Sequence, residues 1–265
     1  MSAHHEAAEP GHPLSTGDSA GVPWEGRSFE DNPHAQDDGS ADPALLAALT
    51  RFGAEQGSEK EVVDAFRAAR VLIPLVAEKG DEGVGPTGLR VDKTQELSIV
   101  TVSAPDGRTV QPVFSSVQTM AAWEPTARPI PVEAVRAALA ASSENTDLIV
   151  LDPGSPTEFV VRRPAVWAVA QGEPWEPSYL SAEVYAGLHE SIGTELAVVD
   201  VTVAAGDPRA RLRGPELVVT LELVAGLEKE TLDAVLARLA QRWSADERIA
   251  TLVDSLAVKL RRAGA

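Results

Sequence analysis

The sequence predicts an α+β fold: two small α+β domains, each a mixed or antiparallel sheet with helices packed on it, preceded by a disordered acidic tail. Three observations predict it. Stretches of helical periodicity interleave with short β-branched runs. Two of those runs, in ELSIVTVSAPDGRTVQPVF, meet at Pro105-Asp106-Gly107, a hairpin turn that makes them antiparallel. An aperiodic stretch rich in Pro and Gly, QGEPWEPSY (171–179), divides the chain. The expected organisation is a tail over 1–42, a first domain over 43–172, a linker over 173–179 and a second domain over 180–265. Aromatic residues are only 5% of the 265, so alanine and valine must build the cores.

The tail carries nine acids against one arginine and few large apolar side chains, too few to offset chain entropy. Trp24 and Phe29 are its only aromatic anchors. In SADPALLAALTRFG, Asp42 is placed as N-cap, Pro43 as the first helical residue and Gly53 as the closing glycine, with Leu45, Leu49 and Phe52 on one face. SEKEVVDAFRAAR opens on a Ser58/Glu61 capping box and buries Val62, Phe66 and Ala69. VLIPLVA is a buried strand that Pro74 demotes to an edge or a bulge. The loop KGDEGVGPTGLR (79–90) reads as a hairpin connection: it lacks G-K-[ST], and Asp81 and Glu82 would repel a phosphate.

After the Pro105–Gly107 hairpin comes a helix containing Trp123. RPIPVEAVRAALAAS gives an extended piece and then a helix with Val132, Val135 and Leu139 on one side. DLIVLDP and EFVV are strands, and PAVWAVA is a short helix. In the second half, SAEVYAGLHESIG stacks Leu180, Val184 and Leu188. ELAVVDVTVAA and PELVVTLELVA are strands around the loop GDPRARLRG. LEKETLDAVLARLAQRW is a long amphipathic helix with Leu232, Val235, Leu236, Leu239 and Trp243 on its apolar face. RIATLVD is read as a closing strand and SLAVKL as a short helix.

Composition excludes several chemistries. Without cysteine there is no disulfide, thiolate nucleophile or Cys-ligated metal. A net charge of −17 with no basic stripe argues against nucleic acid and anionic membrane as partners. No apolar run approaches the ~20 residues that span a bilayer, and MSAHHEAAEP lacks the features of a signal peptide, so a cytoplasmic location is expected. Four of the five histidines (His4, His5, His12, His34) lie in the tail, and His189 lies on a helix of the second half. No spacing predicts a metal site or a cofactor.

Two features invite a functional reading. The serine pair in QPVFSSVQTMAAW has no G-x-S-x-G elbow and no nearby base. Ser115 followed by Gln118 is therefore read as a capping box, not as a nucleophile. Arg209, Arg211 and Arg213 alternate in the loop of the second half. They are either a solvated turn or a partner-binding patch for an acidic segment, such as the chain's own DDGSADP.

The stretches DDGSADP, ARVLIPLVAE, SAPDGRTVQPVFSSVQTMAAWEPTARPIPV and TDLIVLDPGSPTEFVV resemble the SseB family in its actinobacterial form, over residues 37 to about 172. The C-terminal part resembles that family's C-terminal domain less specifically. The resemblance implies the two-domain α+β organisation. It brings no catalytic residues, since the family is named for a serine-sensitivity phenotype. The functional expectation is a non-catalytic regulatory or adaptor protein with a protein partner. The alternative is a sensor of a small metabolite such as an amino acid, or an enzyme working through carboxylates.

Overall fold

The computed structural model describes residues 37–77, 83–84, 90–91, 97–104, 106–143, 146 and 148–264. The expectations for residues 1–36, including Trp24 and Phe29, fall outside the described residues. So does most of the glycine loop, of which only β2 (Gly83–Val84) and β3 (Arg90–Val91) are described, as an antiparallel pair. From Asp37 onward the chain is one compact unit. Its fold is α+β, as the pattern predicts.

Two helices come first. In α1 (Pro43–Gly53) the Asp42 carboxylate accepts from the amides of Ala44 and Leu45 at 2.9 and 3.0 Å, the expected cap. The left-handed residue after this helix is Glu55, not Gly53. In α2 (Glu59–Ala68) Ser58 accepts from the Glu61 amide, and Val62, Phe66 and Ala69 are buried as predicted.

β1 (Arg70–Ala77) is the centre of a three-stranded antiparallel sheet between β4 (Leu97–Ile99) and β7 (Arg128–Glu133), so Pro74 does not make it an edge. The reason is register. Leu72 exchanges both backbone hydrogen bonds with Phe114, away from β7. Pro74, two residues on, points its missing N–H the same way, and pairing with β4 resumes only at Leu75. Across β7 it faces Pro129, at a position where neither residue has to donate.

A four-stranded mixed sheet follows in the order β5-β6-β8-β9: β5 (Val102–Ser103), β6 (Thr109–Val113), β8 (Ile149–Leu151) and β9 (Phe159–Val161). β5 and β6 form the predicted hairpin, with Gly107 left-handed in its turn. β6 and β8 are parallel, connected through α3 (Val117–Trp123), β7 and α4 (Ala134–Ser143). The apolar face of α4 differs from the prediction. Ala134, Ala137, Ala138 and Ala141 are buried, Val132 belongs to β7, and Leu139 is 53% exposed. Alanines allow close approach to α5 (Arg163–Gln171) and to the sheet, and a leucine stripe would not fit there.

In the second half, Leu180 is not part of a helical stack. It ends a 3-10 turn, Ser178–Leu180, and is 62% exposed. α6 (Ala182–Ile192) starts after it, capped by Ser181. β10 (Val198–Ala205) and β11 (Leu217–Leu223) are antiparallel. α7 (Lys229–Ala245) buries Val235, Leu239 and Trp243. The last two elements are the reverse of the reading from sequence. Residues Glu247–Leu252 are helix α8, capped by the Asp246 carboxylate, and Leu256–Arg262 are strand β12, parallel to β11. The α7–α8 crossover supplies the length a parallel connection needs.

The first core gathers Leu45, Phe66, Ile149, Phe159 and Val166. The second gathers Leu188, Val201, Leu217, Leu221 and Leu239. Trp175, in the stretch read as a linker, is buried in the first core.

Candidate functional site

The parallel pair β6·β8 decides where polar groups collect. Both strands run out at the same end, β6 into Phe114-Ser115-Ser116 and β8 into Asp152-Pro153-Gly154. Asp152 is wholly buried and takes a left-handed backbone at φ 49°. Its Oδ1 accepts from the Ser115 amide at 2.8 Å, and its Oδ2 accepts from the hydroxyls of Ser115 at 2.7 Å and Thr157 at 2.9 Å. The Thr119 hydroxyl, 2.9 Å from Oδ1, shares its one proton between that oxygen and the Ser116 carbonyl. The carboxylate thus joins the end of β6, helix α3 and the turn before β9. Such a set of donors satisfies the acceptor oxygens of a buried carboxyl group.

This arrangement corrects the reading of the serine pair. The N-cap of α3 is Ser116, whose Oγ accepts from the Thr119 amide at 3.1 Å, and the reciprocal partner is Thr119, not Gln118. Ser115 is shifted by one position, so its hydroxyl turns inward to Asp152. The buried Phe114 packs against the half-buried Trp123, with ring centroids 5.2 Å apart. A cleft of about 920 Å³ lies over these residues, walled by Ser116, Trp123, Thr157 and the segment Asp38–Ala41. That segment is fixed by Arg70, whose guanidinium binds Asp37 and the Ser40 carbonyl. Val117 donates its amide to the Gly39 carbonyl at 2.9 Å.

A second polar cluster joins the two halves. Arg162, at the end of β9, is buried and binds Asp207 at 2.8 Å and Asp254 at 3.0 Å. Arg108 makes a two-pronged contact with the same Asp254, at 2.8 and 3.0 Å. Burial works against a charge on Asp254, but the hydrogen bonds from Arg108 and Arg162 outweigh it and hold its carboxyl below the usual range. Glu216, buried nearby, goes the other way because burial dominates. Glu59, on the first half, lies against this cluster. Burial, and next the Glu216 charge, push its carboxyl up to about 7. Tyr179 donates to Glu59 Oε1 at 3.4 Å, and burial beside that acid raises its phenol to about 12.

The loop arginines are divided: Arg209 and Arg211 line one cavity with Glu55 and Glu158, and Arg213 stands apart from them. Arg209 lies 3.7 Å from Glu55, both exposed, and Arg211 binds the Pro156 carbonyl at 3.2 Å and lies 4.0 Å from Glu158. Arg213 is exposed on a different cavity, beside Arg108 and Asp254. Their alternation has a packing cause: Ala210 and Leu212 between them are buried against the first half, and Val160 donates to the Ala210 carbonyl at 2.7 Å. Asp37 of DDGSADP is bound to Arg70, not to these arginines.

His189 is exposed on α6 beside Tyr185, and it is the one histidine among the described residues. Among the described residues, no group of three or more His, Asp or Glu is placed to hold a metal ion. Also among them, no helix is long and apolar enough to cross a membrane.

Asp152 and Arg162 are residues to which sequence reasoning assigns no role, Asp152 being one carboxylate among many in an acidic chain. The available signal was a charged residue closing an all-apolar strand, IVLD and FVVR.

In comparisons with known proteins, residues 45–168 match the family model described as SseB protein N-terminal domain. No curated protein and no solved structure matches the chain.

Proposed function

Because residues 45–168 match the SseB N-terminal domain family, we propose that the chain is a non-catalytic binding protein, an adaptor or regulator that acts in the cytoplasm by contact with a protein partner. One observation carries this reading. The hydroxyl best placed at the strand ends, that of Ser115, donates at 2.7 Å to a buried carboxylate and, among the described residues, has no imidazole beside it. A serine becomes a nucleophile when a base can take its proton and a cation then forms next to an oxyanion hole. Asp152 instead ties Ser115 into the fold.

A second reading is a sensor of a small, uncharged or zwitterionic metabolite. It is favoured by the cleft of about 920 Å³ at the carboxyl ends of parallel strands, where ligands of α/β sheets commonly bind. A thermal-shift screen over amino acids, nucleotides and sugars separates the two readings. A ligand at 100 times its Kd adds ~2.7 kcal/mol to stability. No shift with any of these compounds, and no turnover, is the expected result. A saturable shift that is lost in Trp123→Ala transfers the function to the cleft.

A further inference from the structure

We propose that the outer edge of β12 receives an extended segment of a protein partner in which acidic and apolar residues alternate, added to the β10-β11-β12 sheet as a fourth strand. The proposal rests on the adaptor reading above and names the partner's chemistry.

The sheet ends at β12, and among the described residues nothing pairs with its outer side. A free edge is a row of unused backbone donors and acceptors, and strand addition is a common way for an extended segment to bind. The side chains of β12 divide by face. Leu256, Val258 and Leu260 stand beside Leu217, Val219 and Leu221 of β11, in register with a row that is fully buried under the helices. The helices do not extend far enough to cover the last strand, so Val258 is 37% and Leu260 46% exposed. Beside them an apolar groove of about 520 Å³ runs between β12 and the helices, floored by Leu236, Trp243, Ile249 and Val253. An added strand would direct every second side chain into this groove, completing the layer that the sheet leaves unfinished.

Charge selects the occupant. A chain of net −17 places three cations in the seven residues of β12. Lys259 and Arg261 lie on the face opposite the groove, and Arg262 ends the row of Leu256, Val258 and Leu260 on the groove's own face. Among the described residues, Arg261 alone of the three has an ion-pair partner, Glu222 of β11. A neighbouring strand therefore meets three apolar positions closed by Arg262 on one face and Lys259 and Arg261 on the other, which fits acids alternating with apolar residues. The same cations disfavour a second copy of this chain, since β12 against β12 sets lysine and arginine against their own kind.

The test uses the full chain and three labelled ten-residue peptides: glutamate alternating with valine, lysine alternating with valine, and the first composition scrambled. Fluorescence anisotropy should show the glutamate–valine peptide binding at least about tenfold tighter than the other two, with the gap narrowing as salt rises. K259E/R262E changes two exposed side chains, leaves the melting temperature unchanged, and should invert the preference between the acidic and basic peptides. V258D/L260D should lose binding of both. Equal binding of acidic and basic peptides, or no binding of any, overturns the proposal. So does a dimer in sedimentation that V258D/L260D abolishes, which would assign the edge to a second copy. None of these results bears on the adaptor reading, which fails separately if the metabolite screen yields a ligand or turnover.

Discussion

Asp152 shows how one residue can organise a site without performing chemistry. Its carboxylate gathers the Ser115 amide and three hydroxyls from separate segments, and a buried donor left without its acceptor costs about 1–3 kcal/mol. Asp152→Ala should therefore destabilise the protein by about 3 kcal/mol or more in urea unfolding, with strain at its left-handed backbone adding to the loss. Ser115→Ala, which removes one of these donors, should cost about 1–2 kcal/mol and leave partner binding unchanged. A variant equal in stability to the parent but defective in binding would instead make Ser115 a contact residue. Gly39 is constrained in another way. It has φ 76°, and a Cβ there would collide with the Val117 side chain that it packs beneath. The serine pair itself was legible as a helix start. Which serine caps was not, because a one-position shift is decided by Asp152, 37 residues away.

At the scale of elements, α4 is the clearest case of packing deciding against pattern. Its valine and leucine suggest an apolar stripe, yet its alanines face inward. Ala138→Leu should overpack the contact with α5 and cost about 1–3 kcal/mol, while Leu139→Glu, on the exposed side, should stay within about 0.5 kcal/mol. Chemical denaturation of the two variants tests this, and equal effects would place the wrong face in the core. The exchange of helix and strand between 247–252 and 256–262 has a similar origin. A run of six or seven residues with mixed apolar content fits either period. The ladder with β11 fixes Leu256–Arg262 as a strand, and the Asp246 cap with packing on α6 and α7 fixes Glu247–Leu252 as a helix.

At the largest scale, the two cores of residues 37–264 are joined by charge. Arg162 joins the end of β9 to Asp207 and Asp254 of the second half, all three nearly or fully inaccessible. Removing one member of such a group leaves a buried charge unbalanced, so Arg162→Ala should cost about 3–5 kcal/mol. Calorimetry of this variant should also show two transitions where the parent shows one, because the two cores lose their main polar link. A single unshifted transition would show the link to be dispensable. Glu59 makes the same region sensitive to pH. Its folded carboxyl titrates near 7, above the usual 4.5. Between those values the folded state binds the extra proton, so stability is full below about 4.5 and is lost as pH rises through 7. Glu59→Gln should remove that loss and gain about 1–2 kcal/mol at pH 8 relative to pH 5. Parallel stability profiles of parent and variant across this range would refute the assignment.

The sequence by itself determined the α+β class, the first two helices with their Asp42 and Ser58 caps, the Asp106–Gly107 turn, the long amphipathic α7 and the family resemblance, because caps, turns and periodicity act over a few residues. Tertiary structure alone decided that Pro74 lies in a central strand, that alanines line α4, that Ser115 turns to Asp152, that the loop of three arginines inserts Ala210 and Leu212 into the first half, and that β12 closes the second sheet with one side unpaired among the described residues. Each of these depends on a partner tens of residues away in the chain, and no local pattern records whether a backbone edge or a buried charge finds one.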